Sequence, residues 1–411
     1  MSSDKMKWFR EARFGMFIHW GIYAVPAQGE WGMYYKDWDY EHYEKFAQYF
    51  NPVNFDPAAW AELAWKAGMR YVVFTTKHHD GFCMFDSSNT DFKITNTPYG
   101  KDVTAELVEA FRKRGLKIGL YHSLVDWRHP HFVPDDEHPL GKTGRSFPDR
   151  DMSRYRPYLY EQVRQLLTGY GKIDLLFFDY TSKHKKPEDW EADKLLEMVY
   201  SLQPEIIVND RLSYAKTPRF YGDYVTPEIC LPNAQVTVAG RPCDWETCMT
   251  MNNNWGYAAE DKEFKDPATI ARTVVQCVSM GGNCLLNVGP DARGQLPPES
   301  TAILERIGEW MGDNAEAVHG AGPADFKPPA VCCYTAKDGV LYLHLLDPPM
   351  GDIILPQLNG KIDRITILGD GSDVPTITHW GHELLASDEI RIRPPKHLAR
   401  KMPAVLKITL K

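Results

Sequence analysis

Short apolar runs alternate with amphipathic stretches over most of the chain. The run YVVFTT follows DPAAWAELAWKAG, in which Trp60, Leu63, Ala64 and Ala67 recur at helical spacing. Asp56 is placed to cap that helix, Pro57 suits its first position and Gly68 its end. The same order returns when a helix from Asp102 through Arg114, closed by Gly115, leads into KIGLY. DLLFF (174–178), a helix ending near Leu202, EIIV (205–208), a helix from about Pro267 and CLLNV (284–288) continue it. Such alternation predicts parallel strands joined by crossover helices.

The rhythm breaks at GAGPADFKPPA (320–330), a Gly- and Pro-rich stretch that reads as a boundary. Beyond it GVLYLHLL, DIIL, KIDRITIL, EIRI and AVLKITL are short, alternating and separated by turn residues, the pattern of an antiparallel sandwich. The expected architecture is α/β: a (β/α)8-like catalytic barrel, regular or not, over residues 1–328, followed by a C-terminal antiparallel β-sandwich over 329–411.

A chain of 411 residues has ample length for this arrangement. With 43% hydrophobic and 25% charged residues it has the composition of a soluble globular protein. The net charge of -8 offers no attraction to a phosphate polymer or an anionic bilayer, so neither nucleic acid nor membrane is an expected partner. Its eight cysteines contain no CxxC pair, which argues against a zinc ribbon or a thioredoxin-type site and for reduced, buried thiols. The opening MSSDKMKWFREARF is charged, and FGMFIHWGIYAV is interrupted by His19 and two glycines. Neither a signal peptide nor a membrane span is read there, and a cytoplasmic location is expected.

Candidate chemistry lies where the apolar runs end. FGMFI is followed by His19, VVFTTK by His78, His79 and Asp80, KIGL by Tyr121 and His122, DLLFF by Asp179 and Tyr180, EIIV by Asn209, Asp210 and Arg211, and CLL by Asn287. Taken singly, each reads more readily as the start of a loop than as a functional group. In a parallel barrel, however, all strand C-termini share one face, so these residues would converge on one pocket. Two carboxylates there are the minimum for breaking a glycosidic bond. Asp179 suits the attacking role, and Glu228 in GDYVTPE or Glu246 in CDWETC suits the proton donor. Trp20, Trp31 and Trp255 lie near these clusters and offer faces to a sugar ring.

Other templates fail. His129, His131, Asp135, Asp136 and His138 cluster in WRHPHFVPDDEHP without a metal-ligand spacing and read as a solvated loop. GPDARGQL lacks the Lys and Ser/Thr of a phosphate loop, and neither GxSxG nor GxGxxG occurs.

The motifs WFREARFGMFIHWG, HHDGFCMFDS, GLYHSLVDW, LLFFDY, VNDR, GDYVTPE, WETCMTMNNNWGY and MGGNCLLNVGP, in this order, resemble the α-L-fucosidases of glycoside hydrolase family 29 over nearly the whole chain. The resemblance implies a retaining hydrolase of terminal α-L-fucose that needs no metal or cofactor. It implies Asp179 as nucleophile, Glu228 as acid/base with Glu246 in reserve, and two carboxyl groups roughly 5–5.5 Å apart. His19, Trp31, His78, His79, Tyr121 and Arg211 match the family's sugar-holding positions, with Trp255 beside them. The implied partner is a fucosylated oligosaccharide or glycoconjugate, with a homo-oligomer left open. Phe177 and Phe85 stand where Trp is frequent in the family, which bears on linkage and sugar preference. An α-L-galactose hydrolase or a catalytically silent carbohydrate-binding protein are the competing readings.

Overall fold

The computed structural model describes residues 4–180, 185–213, 219–377, 385–395, 398 and 402–411. Seven parallel strands form its main sheet: β1 (Phe14–Ile18), β2 (Tyr71–Lys77), β3 (Lys117–Ser123), β4 (Leu175–Asp179), β5 (Ile207–Val208), β6 (Glu246–Thr250) and β7 (Asn283–Val288). Their order, β5-β4-β3-β2-β1-β7-β6, is that of a barrel read around its circumference. The gap between β5 and β6 is filled by an irregular extended segment, 223–229. Its Tyr224 pairs in parallel with Asn209 on one side, and Val225 and Glu228 pair with Trp245 and Cys248 on the other.

The helices between strands start and stop for the reasons read in the sequence. Asp56 accepts the amide of Ala59 at the start of Pro57–Lys66, and Asp102 accepts that of Ala105 at the start of Val103–Arg114. Gly68 and Gly115 follow with φ of +87° and +97°, values that glycine adopts without the Cβ penalty. Met152–Gly169, Ala192–Leu202, Pro267–Ser279 and Pro298–Asn314 complete the outer layer. Buried residues of these helices and the outward-facing strand residues form one large apolar core.

A second cluster fills the barrel interior, with Phe17, Tyr71, Tyr121, Leu175, Phe177, Tyr224 and Cys248 among its members. It is layered. At the N-terminal end Tyr71 lies against Gly15, where an added Cβ would fall 2.4 Å from the ring. At the other end Phe17, Tyr121, Phe177 and Cys248 form a shelf beneath the strand C-termini.

From Cys332 onward the strands are antiparallel. Cys332–Lys337, Val340–Leu345, Ala404–Leu410 and Ile362–Ile367 form one sheet, and Ile353–Leu355, Ile390–Ile392 and Thr376–Ile377 form another. Tyr334, Leu343, Ile365, Ile392 and Leu406 are part of the core between them. The sandwich is fastened to the barrel helices: Trp310 donates its indole N–H to Pro403 O at 2.7 Å, and Thr335 its hydroxyl to Ala317 O at 2.8 Å.

All eight cysteines are free. Cys83, Cys248, Cys277, Cys284 and Cys333 are buried, but Cys230 is exposed, contrary to the expectation of uniformly buried thiols. Among the described residues no helix is long and apolar enough to cross a membrane.

Candidate active site

The strand C-termini open onto a cavity of about 350 Å3. It is lined by His19, Trp31, His78, His79, Tyr121, Asp179, Arg211, Glu228 and Trp255, and also by Phe17, Glu137, Phe177, Tyr180, Asp210, Ser213, Thr226 and Cys248. Residues far apart in sequence therefore meet at one mouth, and the volume is at the small end for a ligand pocket.

Asp179 ends β4 and Arg211 follows β5. Arg211 Nη1 donates to Asp179 Oδ1 at 2.7 Å, and its Nη2 lies 2.7 Å from Glu228 Oε2. Tyr121 donates its hydroxyl to Asp179 Oδ2, also at 2.7 Å. One planar guanidinium thus grips both carboxylates, which keeps the two bound oxygens within roughly 8 Å of each other. Arg211 is itself fixed, since its Nε donates to Thr226 Oγ1 at 3.1 Å. Burial alone would raise the Asp179 carboxyl, but Arg211, His79 and the Tyr121 hydroxyl outweigh it and bring it down to about 2. The side chain of Asp179 is 15% exposed and that of Glu228 42%, so the first sits deep and the second at the opening.

Both carboxylates are followed by a left-handed residue, Tyr180 at φ +75° and Ile229 at φ +51°. For bulky and β-branched side chains that conformation costs on the order of 1–3 kcal/mol and is typical of functional sites. Its effect here is to turn the chain sharply away just after each acid.

The histidines present acceptors. Burial pushes His19 and His79 down to about 4, so both are neutral at pH 7. Asn287 Nδ2 donates to Trp255 O at 2.7 Å, so its Oδ1 faces His19 Nδ1, also at 2.7 Å, as an acceptor. His19 must then carry its proton on Nδ1 and leave Nε2 with a lone pair. His79 is held likewise: Ser123 Oγ donates to Val125 O and is left to accept from His79 Nδ1 at 2.7 Å. Its Nε2 lies 3.7 Å from Asp179 Oδ2. Such lone pairs suit sugar hydroxyls. His78 stacks on Tyr121, the rings 5.8 Å apart and 8° from parallel. Glu30, just before Trp31, accepts the amide of Gly256, just after Trp255, at 2.7 Å and so ties the two tryptophan segments together.

The family sequence profile described as alpha-L-fucosidase matches residues 1–316. The chain belongs to the α-L-fucosidase family. It is an O-glycosyl hydrolase acting on α-L-fucosides, with the (β/α)8-like barrel and β-sandwich of its structural relatives. The alpha-L-fucosidase isoenzyme 1 of Paenibacillus thiaminolyticus is 42% identical, with a TM-score of 0.95 and 99% of each chain covered. The tissue alpha-L-fucosidase of Rattus norvegicus is 31% identical over 92% of this chain and 84% of its own length. A family 29 alpha-L-fucosidase from Bacteroides thetaiotaomicron, trapped as a covalent intermediate with 2-fluoro-fucosyl fluoride, is 28% identical with a TM-score of 0.87, covering 100% of this chain and 97% of that one.

Within this fucosidase fold three sequence expectations need correction. Glu246, the reserve acid, is not at the pocket. It begins β6, is fully buried and accepts the Tyr71 hydroxyl. Residues 246 and 248 share one face of the strand, so Glu246 points into the barrel roughly 7 Å beneath Cys248 and the pocket floor. Trp20 is also fully buried, donates to Asp291 O at 2.9 Å and packs against Phe50, Phe55 and Trp60. The WRHPHFVPDDEHP loop is not simply solvated: His138 is buried and stacks on Phe132, while Tyr180 donates to Asp135 Oδ1 at 3.1 Å. Among the described residues no group of three or more His, Cys, Asp or Glu is placed to hold a metal ion.

Tyr180 and Asp210 line the pocket as their places at strand ends suggest, whereas Phe17, Glu137, Ser213, Thr226 and Cys248 are pocket residues that the sequence did not single out. Phe17 had a readable signal, since it lies two residues before His19 on one strand face. The same alternation turns His122 away from the pocket, onto the hydroxyl of Thr76 at 3.0 Å.

Proposed function

We propose that the chain is a retaining exo-α-L-fucosidase that removes terminal α-L-fucose from oligosaccharides or glycoconjugates by double displacement. Asp179 attacks the anomeric carbon, and Glu228 delivers a proton to the departing glycosidic oxygen. The resulting fucosyl-enzyme ester is hydrolysed by a water that Glu228, now a base, deprotonates. With Glu228 Oε2 against Arg211, Oε1 is the oxygen assigned to the leaving group. His19, His78, His79, Tyr121, Trp31, Trp255 and Arg211 hold the fucose. Phe17, Phe177 and Cys248 supply apolar walls that suit the C6 methyl and disfavour the C6 hydroxyl of α-L-galactose.

The observation that carries this reading is the pair of acids gripped by one guanidinium, one buried and one at the mouth. A pair of azide experiments on an activated aryl α-L-fucoside tests the roles. Azide should restore turnover of Glu228→Ala with α-L-fucosyl azide as product, and of Asp179→Gly with β-L-fucosyl azide. Products of the opposite configurations would reverse the two roles, and no turnover by the unaltered protein would leave a sugar-binding protein.

A further inference from the structure

The mouth of the pocket continues outward as an aromatic surface that the fucose-holding groups do not use. Trp31 lines the pocket, and the single helical turn Gly32–Tyr35 that follows it carries Tyr34 and Tyr35. The Trp31 ring lies 5.4 Å from Tyr34 and 6.1 Å from Tyr35, centroid to centroid. Tyr35 is nevertheless 70% exposed. A lone exposed tyrosine is ordinary, but this one is continuous with the site through Trp31.

The turn is braced from the facing loop. Tyr34 donates its hydroxyl to Asp136 O at 3.1 Å, and Lys142 pairs with Asp37 at 2.8 Å while lying 3.9 Å over the Tyr34 ring. The same loop carries Glu137, an exposed carboxylate that lines the pocket, as Tyr180 does. Glu228, the more exposed of the two acids, lines the same pocket as Trp31 and Glu137.

We propose that Tyr35 and Glu137 form an aglycone subsite for a neutral pyranose, the Tyr35 ring stacking on the C–H face of the sugar and the Glu137 carboxylate accepting its hydroxyls. An aromatic ring held by its neighbours loses little freedom on binding, which makes it an efficient platform. The Glu137 carboxylate at the pocket disfavours sulfated or sialylated aglycones. This rests on the fucoside-hydrolase reading above and names the part of the substrate beyond the fucose.

The test compares kcat/KM for a neutral α-L-fucosyl-hexose disaccharide with kcat/KM for α-L-fucosyl fluoride, whose leaving group reaches no such subsite. Tyr35→Ala should lower the disaccharide-to-fluoride ratio about tenfold, Tyr35→Phe should keep it, and Glu137→Gln should lower it about threefold. A ratio unmoved by both Tyr35→Ala and Glu137→Gln overturns the subsite while fluoride release continues. No fluoride release by the unaltered enzyme would instead overturn the underlying hydrolase reading. Fluoride release by each variant also reports that it has folded.

Discussion

Asn209 holds both backbone groups of Phe178, the residue directly before Asp179. Its Oδ1 accepts the Phe178 amide at 2.9 Å and its Nδ2 donates to the Phe178 carbonyl at 2.8 Å. A buried side chain at the end of one strand therefore sets the height and tilt of the carboxylate at the end of the next.

Removing this clamp leaves two buried backbone groups without partners, at about 1–3 kcal/mol each. Asn209→Ala is expected to lower unfolding free energy by about 2–4 kcal/mol and to reduce kcat more than it raises KM. Denaturant unfolding and steady-state kinetics with an aryl fucoside check both. An unchanged kcat in a destabilised variant would limit Asn209 to a structural role.

Arg211 spans two carboxylates with a rigid fork that a lysine cannot reproduce. Arg211→Lys should cut kcat/KM by about 100-fold. An uncharged replacement, Arg211→Met, should move the ionisation of Asp179 upward, because it removes the permanent cation that holds that carboxyl near 2 against its burial. In the unaltered enzyme the contribution of Asp179 to stability is complete above its unfolded value of 3.8 and is lost as pH falls through about 2. The Arg211→Met variant should begin to lose activity on the acid side at higher pH, which a pH–rate profile reads directly.

Glu246 behaves in the opposite sense. Burial pushes its carboxyl up to about 8, so the folded protein holds a proton there that the unfolded chain releases near 4.5. The associated stability is present below pH 4.5, falls as pH rises toward 8 and then levels off. Glu246→Gln keeps a neutral group in the same space. Its Tm, compared with that of the unaltered protein at pH 5 and pH 8.5, should improve relatively at the higher pH. A difference independent of pH would mean that Glu246 is ionised in the barrel.

Much of this arrangement is legible along the chain, because capping residues, helical spacing and β-runs act over a few residues. Asp56, Pro57 and Gly68 bound one helix in this way, and Asp102 and Gly115 another. The polar residues that end the apolar runs mark the pocket face, since parallel strands bring their C-termini to one side. Depth is harder to read. Glu228 and Glu246 both follow apolar or aromatic residues, yet Glu246 starts its strand while Glu228 stands beside Cys248, two residues further up that strand. Recognising a strand that starts at residue 246 would have placed that acid at the opposite end of the barrel from the pocket.

Long-range packing hides the rest. The helix Met152–Gly169 contains Pro157 and opens on polar and aromatic residues, which obscure the regular buried stripe of Tyr155, Leu159, Val163, Leu166 and Leu167. Segment 223–229 closes the barrel through a few bridges rather than a regular strand and carries little β pattern. Trp20 and Trp31 look equally suited to a sugar, but only the fold seats Trp20 among Phe50, Phe55 and Trp60.

The central claim is that Asp179 becomes covalently attached to the sugar while Glu228 handles the proton. Incubation with 2-deoxy-2-fluoro-α-L-fucosyl fluoride, followed by peptide mass spectrometry, tests the attachment directly. A single fluorofucosyl adduct on the peptide containing Asp179 is the expected result, with none on the same peptide in Asp179→Asn. An adduct on another carboxylate, with Asp179 unmodified, would contradict the account.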